Sequence, residues 1–373
     1  MKIFHTSDWH LGRMLYGRNL IEDQEYFIKH VFLPAVSEEK PDLILISGDV
    51  YDRQIAPVEA ILLFDETISK LAEMEIETAF TAGNHDGSER IAIAKKVLKK
   101  SGIYASVSLG DAFEPIEFVK NGEKIQLFLL PYADTAEVRQ YFKDETLRGE
   151  TACMRRIVEE MQGKMKEEYT KILSAHCFVA GSSISESEST MFVGGSGDVS
   201  SEIFQDFDYV ALGHLHGAQK AGQNGRYSGS PLKYSVDEES HKKSFVVLEI
   251  QNGEINHRLF PVEPLRDVRR LEGVFEDILK SGEENGVCGD YVEIILKDEK
   301  PIMLAADRLR PFYPQMLAVR NSWISENAVG ERGARLQAAD EMTMFAAFMS
   351  EICGSEITEE EKAWFSEVLK ESV

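Results

Sequence analysis

Cysteine is scarce: Cys153, Cys177, Cys288 and Cys353 are the only four in 373 residues, far apart and without CxxC spacing. This excludes a disulfide framework and argues against a zinc knuckle, so reduced thiols in a core are expected. Long hydrophobic runs are also missing. Stretches such as Leu43-Ile44-Leu45-Ile46 are strand-sized, against the roughly 20 residues needed to cross a bilayer. The start, Met1-Lys2-Ile3-Phe4-His5-Thr6-Ser7-Asp8, turns polar too soon for a signal peptide, which predicts a cytoplasmic protein. Positive charge is short as well, with 41 Lys and Arg against 64 Asp and Glu and a net charge of -23. A protein that grips nucleic acid unaided neutralises phosphates with Lys and Arg. Any such role here requires a local basic patch, a metal site or a partner subunit.

What the chain does contain, 43% hydrophobic and 28% charged residues, suffices for one large core and two or three domains. Apolar runs at residues 2–6, 42–47, 77–81, 125–130, 171–175, 209–212 and 244–250 read as strands. Between the first three lie amphipathic stretches at 21–37 and 57–73, the second expected to place Ile61, Leu62, Phe64, Ile68 and Leu71 on one side. Such alternation predicts an α/β protein with a helix-covered sheet. Residues 181–201, rich in Gly, Ser and Glu, read as a long loop, either a mobile surface connection or a lid or specificity loop. From 263 to about 320 a new β-α-β-α-β pattern begins, with 290–296 as its clearest strand, and residues 329–335 read as a linker. Two short amphipathic helices follow, one carrying Met342, Phe345, Phe348, Met349 and Ile352, the other Trp364, Phe365, Val368 and Leu369. A capping box of Thr358 and Glu361 starts the second. Helices this short bury their apolar faces only by docking on the parent domain or on a partner. No internal repeat is present.

Five polar clusters fall where apolar strands end: Asp8-Trp9-His10, Gly48-Asp49-Val50-Tyr51-Asp52, Gly83-Asn84-His85-Asp86, Ala175-His176 and Gly213-His214-Leu215-His216. In open α/β sheets the carboxyl ends of strands form the crevice where ligands sit. A lone histidine at a strand end is more often structural than a ligand, because metal sites need several convergent donors. Here five of nine histidines lie in the clusters, and the set is not explained that way. His5, His30, His241 and His257 stay structural, and Cys177 should point away from the site into the core. In extended backbone Asp8 with His10, and His214 with His216, share a side. Carboxylate, imidazole and amide without thiolate suit Mn²⁺, Fe²⁺ or Zn²⁺ better than Mg²⁺ or Ca²⁺. Seven candidate ligands are too many for one ion and about right for two sharing a carboxylate, an arrangement that hydrolyses phosphoesters. Asp86 is expected to open the next helix through a capping box with Glu89.

The series DxH, GDxxD, GNHD, a lone His and GHxH resembles the calcineurin-like metallophosphoesterase family. Beyond the ligand motifs, "SDWHLG", "ISGDVYDR", "AGNHDGS", "DYVALGHLHGAQ" and "RYSGSPLKYSVDEE" resemble that family's DNA-end nuclease subunits over essentially the whole chain. The resemblance implies a two-sheet α/β sandwich at 1–262, a small α/β capping domain at 263–328 and a C-terminal helical tail at 338–373 that binds the coiled coil of an SMC-like ATPase. It places Asp8, His10 and His216 on one metal and Asn84, His176 and His214 on the other, with Asp49 bridging. His85 remains as the proton handler, suited because imidazole exchanges protons near neutral pH, and Asp52 as the carboxylate that orients it. It further implies Mn²⁺, double-strand exonuclease and single-strand endonuclease activity, and a nuclease-subunit homodimer within a heterotetramer, with residues 26–36 as a candidate dimer helix. Arg13, Arg18 and Arg53 are candidates for phosphate contact or plain solvation. Other readings are a phosphatase or cyclic-nucleotide phosphodiesterase of the same superfamily, or a dead phosphoesterase-fold scaffold, which the complete ligand set opposes.

Overall fold

A computed structural model describes residues 1–91, 93–188, 198–300 and 302–322, together with 358, 361, 362, 364 and 365. The chain divides into two compact units, Met1–Arg269 and Arg270–Val373. The first carries twelve strands in two six-stranded sheets. These are β1 (Lys2–Thr6), β2 (Leu43–Ser47), β3 (Glu77–Thr81), β4 (Ile103–Ser106), β5 (Ile116–Lys120), β6 (Glu123–Leu130), β7 (Thr170–His176), β8 (Tyr209–Gly213), β9 (Gln219–Ala221), β10 (Gly225–Tyr227), β11 (Ser244–Gln251) and β12 (Glu254–Pro261). One sheet runs β12-β11-β1-β2-β3-β4 and the other β9-β10-β8-β7-β6-β5.

All seven strands expected from apolar runs form. The five missed in these sheets are short, edge-placed or exposed, such as β5, or are entered by a hairpin, such as β12, and a two-residue ribbon of Met14–Leu15 with Arg18–Asn19 was missed as well. The central strands β1, β2 and β3 pair in parallel, as do β6, β7 and β8. Parallel pairing points all their carboxyl ends the same way. That is why the polar clusters fall along one edge of each sheet.

The two sheets pack face to face through Ile3, Leu43, Leu45, Ala79, Leu127, Ile172, Ala211, Val246 and Leu248. These alternate along their strands with residues facing outward, so each sheet buries both faces. Outside the second sheet, helices Thr135–Phe142 and Gly149–Gln162 bring Val138, Cys153, Ile157, Val158 and Met161 onto Phe128, Leu130, Leu173, Val210 and Leu212. Cys177 belongs to this layer, facing the core as expected. Outside the first sheet lies an aromatic cluster. Trp9 meets Phe27, Phe32 and Phe64 edge to face at centroid distances of 5.8, 5.3 and 6.4 Å, and Phe4 and Phe245 continue it.

Two helix details depart from expectation. The stretch expected to be one helix over 21–37 is helical at Ile21–Tyr26 and Leu33–Glu39 but widens to i→i+5 turns over Phe27–Phe32. The widened turns hold Phe27, Ile28 and Phe32 inward, two of them against Trp9. In helix Val58–Glu73 the buried face is Ala60, Leu63, Phe64, Thr67, Ile68 and Leu71, whereas Ile61 and Leu62 are exposed. Relative to the i, i+3, i+4 set from Ala60, Ile61 lies about 100° and Leu62 about 200° further round.

The second unit, described by itself, has β13 (Val268–Gly273), helix Phe275–Asn285, β14 (Tyr291–Leu296), helix Ala305–Leu309 and β15 (Met316–Asn321), in the expected β-α-β-α-β order. Its sheet runs β13-β14-β15, and Phe275, Ile278, Val292, Ile294, Leu296, Leu309 and Tyr313 form its core. The linker at 329–335 and nearly all of the helical tail at 338–373 lie outside the described residues. Thr358 and Glu361 are described and form the expected box: Thr358 N–H and Oγ1–H reach Glu361 Oε2 at 2.8 Å each, and Glu361 N–H returns to Thr358 Oγ1 at 3.3 Å.

Trp9 is fully buried, and its Nε1–H donates to Thr6 Oγ1 at 2.9 Å. Trp9→Ala should therefore cost about 3–5 kcal/mol of stability, and Trp9→Phe clearly less. Urea denaturation of both variants measures this, and a loss under about 1 kcal/mol for the alanine variant would contradict the packing described.

Candidate metal centre

Each strand that ends in a polar cluster delivers its side chains to one crevice. Beyond β1 come Asp8 and His10; beyond β2, Asp49 and Asp52; beyond β3, Asn84, His85 and Asp86; at the end of β7, His176; beyond β8, His214 and His216. The i, i+2 pairs reach it by another backbone than expected. Asp8, His10, Asp49 and His214 all have positive φ, at 54°, 43°, 49° and 104°. Left-handed backbone at non-glycine residues is strained, and such strain concentrates at functional sites.

Close approach of the strand ends demands glycine at two places. A Cβ on Gly83 would lie 2.1 Å from Asp49 Oδ1 and 2.4 Å from Asp49 N. One on Gly213 would lie 1.8 Å from the Ser47 carbonyl. Neither backbone neighbour can swing aside as a long side chain can.

Among the described residues three donor groups result, one of them His10, Asp52 and His85 at the rim and the other two deeper. Asp8, His10 and His216 bring ligand atoms together, and so do Asp8, Asp49 and His176. His10 Nε2 and His216 Nε2 are 3.1 Å apart. Asn84 Oδ1 lies 2.9 Å from His176 Nε2 and 3.2 Å from His214 Nδ1. Asp49 Oδ2 stands between the groups, 3.5 Å from His10 Nε2 and 3.3 Å from His176 Nε2. All seven sequence-predicted ligands are thus in one place. Asp8, His10, Asp49, His176, His214 and His216 are buried, and Asn84 is half-buried.

His85 is half-buried beside them, its ring 4.8 Å from that of His10. Its backbone N–H donates to Asp49 Oδ1 at 2.9 Å, and its Nδ1 meets the Asp52 main-chain carbonyl at 2.7 Å. The expectation that the Asp52 carboxylate orients His85 is corrected to this extent: the direct hydrogen bond is made by the carbonyl. The carboxylate instead takes Arg13 Nη1–H at 2.9 Å and stands 3.7 Å from His10 Nδ1. Arg13 is therefore an ion-paired residue of the site rim.

Asp86 is also not the helix cap expected. Its carboxylate is buried and accepts N–H groups of Gly83 at 2.8 Å, Val50 at 3.1 Å and Tyr51 at 2.9 Å, tying the β3 loop to the β2 loop. The Glu89 side chain lies outside the described residues. Burial and the neighbouring Asp49 charge push the Asp86 pKa up to about 6, against the three N–H donors.

Residues that sequence reasoning left out surround His216. Ser187, Glu188, Glu238 and Lys243 lie in or beside it, Glu238 fully buried. Burial would push the Glu238 carboxyl up, but Lys243 and His216 hold it well below the usual range. Glu238 is the first glutamate of the "YSVDEE" stretch that carried the family resemblance, which was the available signal.

The protonation pattern shows what the site attracts. His176 gives Nδ1–H to the Ser47 carbonyl at 2.9 Å, so its Nε2 faces two oxygens, Asn84 Oδ1 and Asp49 Oδ2. Something positive must stand there, a proton or a metal ion. Burial disfavours charged His176, yet the Asp49 carboxylate outweighs it and raises the pKa to about 9. Burial also acts against Asp49, but His176, His10 and His85 hold it well below the carboxylate range. Burial keeps His10 and His214 neutral, the latter with a pKa lowered to about 3. Neutral imidazoles, carboxylates and an amide oxygen converging on one another are a donor set that fits divalent cations.

Comparison with known proteins agrees with this geometry. The model described as calcineurin-like phosphoesterase matches residues 1–218. The chain belongs to the calcineurin-like phosphoesterase family. A second model, described as the type 5 capsule protein repressor C-terminal domain, matches residues 264–352. Among curated relatives in this family, the D subunit of the nuclease SbcCD from Staphylococcus epidermidis is 36% identical over 86% of this chain and 85% of its own length. The protein of the same name from Staphylococcus saprophyticus subsp. saprophyticus is 33% identical over 96% and 95%. The match at 1–218 takes in all seven donors described above, and the family implies divalent metal ions.

A cation that takes His176 as a donor displaces its proton, so cation affinity should rise with pH from 7 towards 9, by up to about tenfold per pH unit, and flatten above. Binding at pH 7 should release protons, measurable by titration calorimetry in buffers of different ionisation heat. Affinity independent of pH, without proton release, would refute this picture of the cation-free site.

Proposed function

We propose that the protein is a DNA nuclease that hydrolyses phosphodiester bonds with two divalent ions, most fittingly Mn²⁺. The observation that carries the reading is the convergence of all seven donors, with Asp49 between two groups and His85 beside them. In this reading Asp8, His10 and His216 would hold one ion and Asn84, His176 and His214 the other, with Asp49 serving both. Bound there, the ions would supply Lewis-acid chemistry for water activation and for charge stabilisation at the phosphoryl group.

The chain's own residues supply the proton. His85 Nδ1, held at 2.7 Å by the Asp52 carbonyl, is kept in its N–H form, which leaves Nε2 to hold and deliver a proton to the departing sugar oxygen. The backbone bond to Asp49 Oδ1 ties that imidazole to the bridging carboxylate. Asp52, through its carbonyl and its pairing with Arg13, positions this edge of the site.

The named relatives extend the reading. Similarity to SbcD-type proteins over 86% and 96% of the chain supports double-strand 3'-5' exonuclease and single-strand or hairpin endonuclease activity in DNA end processing, repair and recombination. It also supports a heterotetramer of two nuclease subunits with an SMC-like ATPase of the SbcC type, docked on the tail at 338–373. A net charge of -23 favours a partner that supplies much of the DNA grip. Action on DNA in the cytoplasm belongs to the same reading. Among the described residues no helix is long and apolar enough to cross a membrane.

The deciding experiment is a nuclease assay on linear duplex and hairpin DNA, with Mn²⁺ or Mg²⁺ and with or without the ATPase. Mn²⁺-supported cleavage is expected; turnover of phosphomonoesters alone would replace the nuclease with a phosphatase. His85→Ala should retain both ions by calorimetry yet lose roughly 10²–10⁴ in rate. Loss of an ion from that variant would overturn the division of labour between His85 and the ligands.

A further inference from the structure

His216 is held from behind by a short strap, Ser183 to Glu188, which belongs to the Gly/Ser/Glu-rich loop. The strap is stitched down along its length. Ser183 N–H donates to Gln219 Oε1, and Gln219 Nε2–H returns to the Ser183 carbonyl, both at 2.8 Å. Glu186 N–H donates to Asp237 Oδ2 at 2.9 Å. Ser185 N–H donates to Glu188 Oε2 at 2.6 Å, and the other oxygen of that carboxylate accepts the backbone N–H of His216.

Counting protons along the strap fixes the state of His216. The Ser187 hydroxyl has one hydrogen, and Glu238 Oε1 takes it at 2.8 Å. Glu238 is committed as an acceptor, receiving Lys243 Nζ–H at 2.5 Å and Tyr234 N–H at 3.3 Å as well. Ser187 Oγ, 2.7 Å from His216 Nδ1, can then only accept. His216 must carry a proton on Nδ1, so Nε2, 3.1 Å from His10 Nε2, is the atom left to meet an ion. Lys243 completes the frame, donating to the His216 carbonyl and to Ser230 Oγ at 2.9 Å each.

We infer that Ser187 and Glu238 are positioning residues that set the tautomer of His216, and with it the affinity of one of the two cation sites. The other site has its own, separate device, the Ser47 carbonyl on His176 Nδ1, so the effect is confined to the His216 ion. The inference rests on the two-ion reading of the site. It gives the loop a chemical role, since the docked strap is part of what loads one ion.

The test uses the full-length protein. Titration calorimetry with Mn²⁺ counts ions and affinities, and long-range ¹⁵N NMR of the cation-free protein reads the protonated nitrogen of each imidazole. In the wild type, two ions and an Nδ1–H form for His216 are expected. Ser187→Ala should weaken one ion by about 10- to 100-fold, leave the other unchanged and mix the His216 tautomers. Ser187→Thr, which restores a hydroxyl, should recover both readouts. Wild-type tautomer and affinities in Ser187→Ala, or equal weakening of both ions, would overturn the inference. Fewer than two ions in the wild type would instead overturn the two-ion reading beneath it.

Discussion

The Asp49 carboxylate ties together residues from three other strand ends, and their positions follow from its own. One oxygen lies 3.3 Å from His176 Nε2 and 3.5 Å from His10 Nε2, and the other accepts the His85 N–H at 2.9 Å. Three strand ends, those of β1, β3 and β7, are thereby referred to a single side chain at the end of β2. The arrangement has no slack, because Gly83 leaves only the volume of a hydrogen atom against Asp49. The loops also accept left-handed backbone at four of the ligands to reach it.

Such a cluster is costly without positive charge. Asp8 and Asp49 are buried within a few ångströms of one another, and burial alone raises the Asp8 pKa. In the cation-free protein a proton on His176 meets part of that demand. The same electrostatics that make this imidazole basic make the pocket attract a divalent ion, so proton and metal compete for one hole. His216 is treated differently: Glu238 stands 3.5 Å from its Nδ1, on the side of the ring away from His10, and Ser187 Oγ contacts both.

Much of this was legible in the sequence, for a physical reason. Parallel strands align their carboxyl ends, so polar clusters that follow apolar runs in phase must meet at one edge, and all seven residues expected as ligands do meet there. The two-sheet α/β architecture and the small β-α-β-α-β unit follow from the same alternation. What escaped are contacts between loops. The bond from the Asp52 carbonyl to His85 has no side-chain signature, because any residue has a carbonyl. Asp86 looked like a cap since Glu89 stands three residues on, but a buried carboxylate is claimed by whichever N–H groups the fold presents, here those of Gly83, Val50 and Tyr51. Ser187 and Glu238 lie 51 residues apart in sequence, and nothing in spacing could pair them. The widened turn at Phe27–Phe32 answers to Trp9, a tertiary partner invisible to periodicity.

The two donor groups also couple the site to the fold as a whole. Asp8 and His10 come from the sheet that contains β1, while His216 comes from the sheet that contains β8; Asn84 and Asp49 likewise come from the first sheet, and His176 and His214 from the second. Neither group exists on one sheet alone, so each is complete only when the apolar interface through Ile3, Leu45, Ile172 and Ala211 is closed. A ligand that binds only the closed arrangement stabilises it, by about 2.7 kcal/mol at a hundred times its dissociation constant. The energy that packs the sheets therefore pays for holding buried acids together, and bound cations return part of it as stability of the sandwich.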